Sequence, residues 1–364
     1  MKKLILMLAF FALFLSCEDT KDPVDNENPP AVEYMDLMGG LELDNGPHDL
    51  AVKDNFVFAC RDDKIYLIDI ADGATPVLIG VLDDLENSNN FETLLVDGNL
   101  MYAGCTSLSA IYVFDISDPE NTQVIGYFAD VIYSDVQLSP MKFFKKGNVL
   151  WAAGSNGTNG MLVKLNATDN GTLTFNSYWV ATTSGSAVGG VWANDNNVFV
   201  STANGYIYSF DAANISAGQL DEYTFSAEAG HEHWGKTIVG DGDRLYWADW
   251  GAGFITVNIS NPANLSAEAL ITHSSYKQQH PDAEGTNLYD LYLDKTAGKV
   301  YVANGWSGFL VIDTDEPDKV EAFVDYTENQ YFCIEKIGDY VIMGDIAEGI
   351  SDYKGIKVYY MKQN

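Results

Sequence analysis

Residues 300–320 read VYVANGWSGFLVIDTDEPDKV. One apolar run, Val300-Tyr301-Val302-Ala303, precedes a turn, Gly305-Trp306-Ser307-Gly308. A second run, Phe309-Leu310-Val311-Ile312, ends in Asp313 and then in Glu316-Pro317. Short runs rich in β-branched and aromatic residues, bounded by Gly, Asp and Pro, read as strands joined by tight turns. The second run recurs along the chain as Ile65-Tyr66-Leu67-Ile68-Asp69, Ile111-Tyr112-Val113-Phe114-Asp115, Leu162-Val163-Lys164-Leu165-Asn166 and Ile207-Tyr208-Ser209-Phe210-Asp211. It returns as Phe254-Ile255-Thr256-Val257-Asn258 and, degraded, as Ile356-Lys357-Val358-Tyr359-Tyr360. The closing positions 69, 115, 166, 211, 258, 313 and 360 lie 46, 51, 45, 47, 55 and 47 residues apart. A period of that size built from short strands alone predicts an all-β, seven-bladed β-propeller with four strands, a to d, in each blade.

The first unit divides into strands at 49–53, 55–60, 64–70 and 77–82. A bulky residue followed by a small one marks strand b: Phe58-Ala59, Tyr102-Ala103, Trp151-Ala152, Val200-Ser201, Trp247-Ala248, Val302-Ala303 and Met343-Gly344. Their recurrence predicts one shared packing slot between neighbouring sheets. The Asp or Asn closing strand c is expected to cap its turn by accepting from the backbone two residues on. The seventh unit stops soon after Tyr360-Met361, so its outer strand is missing. Glu33-Tyr34-Met35-Asp36-Leu37-Met38 is strand-like, and the expectation is that it completes the last blade and hides two open edges.

Together these features resemble the LVIVD-repeat family of secreted bacterial propellers, most closely in the quoted stretch and in residues 245–265, LYWADWGAGFITVNISNPANL. The resemblance covers roughly residues 48–360 and implies the fold; that family is defined by its repeat and not by an active site. The third, fourth and seventh units depart most from it.

The N-terminus carries a different message. Lys2-Lys3 and the apolar stretch from Leu4 to Leu15 read as a secretory signal, too short to span a bilayer. Phe14-Leu15-Ser16-Cys17 resembles the lipobox of bacterial lipoproteins, which implies lipidation at Cys17 and an outer-membrane anchor. The acidic cluster Glu18-Asp19-Thr20-Lys21-Asp22 resembles the surface-export signal of Bacteroidetes lipoproteins, which implies outward display. The expected organisation is a signal peptide over 1–17, a disordered acidic, Pro-containing tether over 18–32 and the propeller over 33–364.

Net charge is −32, from 20 Lys and Arg against 52 Asp and Glu. That balance supplies no basic stripe for a phosphate polyanion and argues against a nucleic-acid partner. With Cys17 lipidated, Cys60, Cys105 and Cys333 remain, and buried strand cysteines are their expected fate.

By fold analogy the d–a and b–c connections share the binding face. All five histidines fall on them: His48 before blade 1, His231 and His233 before blade 5, His273 and His280 before blade 6. The longest connection, 273–286, also holds Tyr276, Asp282 and Glu284, and long loops on a rigid scaffold concentrate function. Trp234, Trp250 and Trp306 lie on the same side of blades 5 and 6, whereas Trp151, Trp179, Trp192 and Trp247 fall on strands. The candidate ligand-binding set is therefore Trp234, Trp250, Trp306, Tyr276, His273 and His280, aromatic surfaces on which sugar rings or protein side chains stack. His231 and His233 alternate on an extended segment and are the candidate ligands of a transition metal, with His280, Asp282 or His48 as a third.

No nucleophile elbow, phosphate loop, H-E-x-x-H helix or EF-hand loop occurs. The leading expectation is a non-catalytic, cofactor-free binding or scaffold lipoprotein that contacts a glycan or an envelope protein. The alternatives are a metal-dependent hydrolase or lyase at His231 and His233, and a purely structural part of an envelope assembly.

Overall fold

The repeated apolar phrase lacks polar alternation because its strands are covered on both faces. The computed structural model describes residues 35–73, 75–83, 85, 90–129, 137–184, 187–281, 285–305, 308–324, 330–346 and 354–362, without the side chains of 183–184, 235–236 and 323–324. Its strands, numbered β1–β28 in chain order, form seven four-stranded antiparallel sheets in the compact unit Glu33–Asn364. The phrase is strand c of each blade: β4 (Lys64–Asp69), β8 (Ala110–Asp115), β12 (Asn159–Ala167), β16 (Tyr206–Asp211), β20 (Gly253–Asn258), β24 (Phe309–Asp313) and β28 (Gly355–Met361). The apolar side chains at the centres of these strands are buried among layers contributed by adjacent blades. The outer strand β5 (Val77–Leu82) has one free face and is exposed to half-buried throughout. Among the described residues no helix is long and apolar enough to cross a membrane. The signal segment, Cys17 and the tether lie outside the described residues.

Ring closure follows the expectation. β1 (Met35–Glu42) pairs antiparallel with β28, from Met35 against Met361 to Glu42 against Gly355, and completes the sheet whose inner strands are β27 (Tyr340–Asp345) and β26 (Tyr331–Ile337). The core also closes, for Leu50, Val57, Ala59, Tyr66 and Ile68 of blade 1 pack with Ile342, Ile356 and Val358 of blade 7. The turn caps behave as their chemistry dictates. Asp69, Asp115, Asp211, Asn258 and Asp313 each accept, through Oδ1, the N–H two residues on, at 2.7–3.0 Å.

Two expectations need correcting. The strand-b slot is not common to every unit. In blade 1, Phe58 packs toward blade 2 and Ala59 toward blade 7. In blade 5 the register places Trp247 where blade 1 has Ala59, facing the preceding blade, and Tyr246 takes the side of Phe58. A shift of one residue moves a strand side chain to the opposite face, so matching by residue size aligned opposite faces. The 273–286 connection, read as a loop, opens with a helix, α1 (His273–Gln279). Thr272 Oγ1 accepts from Ser275 N–H and Ser275 Oγ accepts from Thr272 N–H, a reciprocal cap that starts the helix.

The innermost strands, β2 (Asp49–Lys53), β6 (Phe91–Asp97), β10 (Ser139–Lys146), β14 (Val188–Ala193), β18 (Gly235–Asp241), β22 (Leu288–Asp294) and β26, surround a channel. Six of them, β2 excepted, carry a β-bulge at the same place, for example between Leu288 and Asp290 and between Tyr331 and Cys333. A bulge re-aims a side chain, so both the bulged residue and the next one can face the axis.

Candidate functional site

The channel mouth is built by that device. His48 in blade 1 and the bulge residues Glu92, Met141, Gly189, Tyr289 and Phe332 line it, and Asp49, Lys142, Thr237 and Asp290 form the tier below. His48 Nδ1 lies 3.2 Å from Glu92 Oε2. In the lower tier, Lys142 Nζ donates to Asp49 Oδ1 at 3.0 Å and to Asp290 Oδ1 at 3.5 Å across the channel. Each aspartate also ties its blade to the next. Asp49 Oδ2 accepts from Thr93 Oγ1 (2.8 Å) and Leu94 N–H (3.0 Å), and Asp290 Oδ2 accepts from Ile334 N–H (3.2 Å). Burial raises the pKa of Asp49 against the pull of Lys142. Burial alone would lower that of Lys142, but Asp290 and Asp49 outweigh it and hold the ammonium charged. Glu335 lies just below. Burial, then the charges of Asp290 and Asp49, push its pKa up to about 8.

From the mouth an aromatic run leads outward over blades 7, 6 and 5. The Tyr289 ring lies 3.7 Å, centroid to centroid, from Phe332, and the Trp250 ring meets Tyr289 edge-on at 4.8 Å. Trp250 is half-buried, and Trp234 stands 49% exposed on the same connection-rich face. Beside Trp250, Gly305 lets the Asn287 backbone pass close by, because a Cβ there would come to 2.9 Å from the Asn287 carbonyl.

The sequence-derived residues separate into distinct environments. His233 is held at both ring nitrogens: Nδ1 lies 3.1 Å from Asp249 Oδ1, and Nε2 accepts from Ala227 N–H at 3.0 Å. Asp249 is wholly buried, and the same oxygen caps the following turn by accepting from the N–H groups of Gly251 and Ala252. His231 instead packs on His273, with ring centroids 4.7 Å apart. His273 Nδ1 accepts from Thr286 N–H at 3.2 Å, and burial and then the neighbouring His231 lower its pKa. Beside them, burial works against the Glu228 carboxylate, but hydrogen bonds from Thr272 and Ser274 more than offset it and lower its pKa. Tyr276 is fully buried in the layer between blades 5 and 6, and the His280 ring packs against it at a tilt, with centroids 5.1 Å apart. Among the described residues no three His, Cys, Asp or Glu side chains are grouped as metal ligands. Trp306, Asp282 and Glu284 lie outside the described residues. Cys60, Cys105 and Cys333 are buried free thiols, as expected.

Sequence reasoning missed the channel tier Asp49, Lys142, Asp290 and Glu335. It also missed a polar position ending strand b, filled by Thr202, Asp249, Asn304 and Asp345 in blades 4 to 7. These side chains cap the b–c turn or tie down the incoming connection, as Asn304 Oδ1 does with Asn287 N–H at 2.6 Å. The signal for that position was present: Ala248-Asp249, Ala303-Asn304 and Gly344-Asp345 each place a carboxylate or amide after the small residue.

The fold is that of a binding or scaffold module: a rigid ring that presents connections on one face and an axial channel. Within that class it carries LVIVD repeats. The LVIVD repeat family model matches residues 47–84, spanning blade 1, and 237–269, in blade 5. No curated protein matches the chain. Among solved structures it is similar to Raptor of Chaetomium thermophilum, at 11% identity and TM-score 0.64 over 90% of this chain and 29% of that one. The Cps50 (Swd1) β-propeller domain of Myceliophteria thermophila aligns at 10% identity and TM-score 0.66, over 90% of this chain and 100% of that one. The computationally designed Ika8 protein aligns at 14% and 0.58, over 89% and 99%. At these identities the likeness is one of fold alone.

Proposed function

We propose that the protein is a non-catalytic binding module, lipid-anchored through Cys17 in the bacterial outer membrane and displayed outward. Its connection-rich face over blades 5 to 7 contacts a glycan or an envelope-protein partner. The observation that carries this reading is the aromatic run Trp250, Tyr289 and Phe332, which leads from the rim to a polar channel mouth with the exposed Trp234 on the same face. Aromatic faces beside polar groups suit sugar rings and protein hot spots alike.

The test is a screen of the purified protein against arrayed glycans and isolated envelope proteins, repeated with Trp250→Ala and Tyr289→Ala. The reading expects a binder whose affinity falls at least about tenfold in both variants, the loss of a central aromatic anchor, while the fold is retained. A binder indifferent to both substitutions would place the contact elsewhere. For the anchor, Cys17→Ser should move the protein from the membrane fraction to the soluble one. An unchanged distribution would remove the lipid from the proposal.

A further inference from the structure

Below the Lys142 tier the channel widens into a cavity of about 350 Å³, at the end of the ring where the a–b turns lie. All seven innermost strands contribute to its wall, which is largely apolar and includes Phe144, Trp192, Ile238 and Tyr292. That volume is in the range of sites for small organic molecules. The Trp192 ring is laid against the wall by Gly240, where a Cβ would come to 2.5 Å from the indole. Phe144 lies 6.2 Å from it, so two aromatic faces border one side of the space.

Charge around this cavity is unbalanced. Lys295 at its outer end is engaged with Asp241 (3.1 Å), and Lys336 with Asp294 (2.7 Å). Lys142 is left to face three carboxylates, those of Asp49, Asp290 and Glu335. Without another cation the third carboxyl keeps its proton. Burial and the two aspartates hold Glu335 at a pKa of about 8, with Lys142 opposing them. Tyr292, the other titratable group facing it, is itself raised by burial and by Glu335.

We propose that this cavity is a binding site for a small organic cation, an ammonium group on an apolar body, with the charge set against Glu335 and Asp290 and the body against Phe144, Trp192 and Tyr292. The site is separate from the connection face, and the proposal does not rest on the function argued for that face. On binding, Glu335 gives up its proton to solvent and pairs as carboxylate with the ammonium. The aromatic walls attract the same cation through their π faces.

The experiment is calorimetric titration of the purified full chain with benzylamine and with benzyl alcohol, its uncharged counterpart of similar size, from pH 6 to 9. Benzylamine should bind more tightly than the alcohol. Its affinity should rise up to about tenfold per pH unit below pH 8 and then level off, because each binding event releases one proton. Titrations in two buffers of different ionisation enthalpy should count that proton near pH 7. Glu335→Gln mimics the neutral carboxyl, and it should abolish both the proton release and the pH dependence and weaken benzylamine at least tenfold. Equal affinity for amine and alcohol, a flat pH profile in the unsubstituted protein, or no binding at millimolar concentration would each overturn the proposal. The pH series on the unsubstituted protein decides the matter even if the variant folds poorly.

Discussion

The connection face of blades 5 and 6 and the axial channel gather chemistry by opposite routes. On the face, His231, His233, Trp234, Trp250, His273 and His280 come from stretches close together in the chain. The structure then disperses them: His233 turns to Asp249, His231 to His273, and His280 to the buried Tyr276. In the channel, Asp49, Lys142, Asp290 and Glu335 come from four different blades, and Lys142 ties to Asp49 and Asp290 across 93 and 148 residues of chain. Proximity in sequence marks a connection, whereas a shared position on the innermost strand marks the axis. In a ring of repeats the second kind of proximity assembles the more strongly coupled cluster.

The largest effect that tests this contrast is Lys142→Ala. It leaves Asp49 and Asp290 facing each other without their cation, and breaking a buried ion pair on one side costs about 3–5 kcal/mol. Chemical denaturation should show that loss at pH 7. Because protonation relieves the orphaned aspartates, the deficit should shrink as the pH falls. A loss below about 1 kcal/mol would mean that water screens the tier and that the channel is no more coupled than the rim.

Next comes the pH dependence of stability from Glu335. Its folded pKa of about 8 stands above its ordinary value of 4.5. Between those values the folded state binds the extra proton, so the contribution of Glu335 to stability is greatest below about 4.5 and falls as the pH rises toward 8, with a slope no steeper than about 1.4 kcal/mol per unit. Glu335→Gln should flatten that limb. Denaturation midpoints of both proteins at pH 5, 6.5 and 8 measure the difference. Parallel curves would show that Glu335 ionises freely in the channel.

The same contrast explains what the sequence disclosed. Blade number, strand content and ring closure were legible because both faces of strands b and c are buried, which writes an uninterrupted apolar phrase once per blade. Asp69 and Asp115 announced their turns because an Asx cap is local, reaching two residues along the chain. The facing of Trp247 was not legible, since residue size does not encode which blade a side chain meets. Nor was the channel mouth: Tyr289 and Phe332 reach it by β-bulges, and a bulge leaves no residue signature in either stretch. His231-Glu232-His233 looked like a ligand pair because alternation was assumed, but the partner of His233 is Asp249, on the neighbouring strand β19 (Arg244–Asp249).

On the connection face itself, His233→Ala should cost about 1–3 kcal/mol, because Asp249 stays buried without its imidazole and Ala227 N–H loses its acceptor. His231→Ala, two residues away, should cost less than about 1 kcal/mol, since the imidazole gives up a ring contact and no buried charge is left behind. Thermal unfolding of the two variants side by side measures the gap. Equal losses would mean that both histidines serve the same structural role.

A similarly small effect on stability is expected at Trp234. At 49% exposure only about half of its surface is covered by the fold, so Trp234→Ala should change stability by no more than about 1 kcal/mol. If the face binds a partner as proposed, the same substitution should weaken that binding far more than it weakens the fold, because an exposed tryptophan buries its surface only in the complex. A stability loss above about 1 kcal/mol with binding intact would reverse the assignment. Trp234 would then be a cover for the blade top, and the contact surface would contract to Trp250, Tyr289 and Phe332 around the channel mouth.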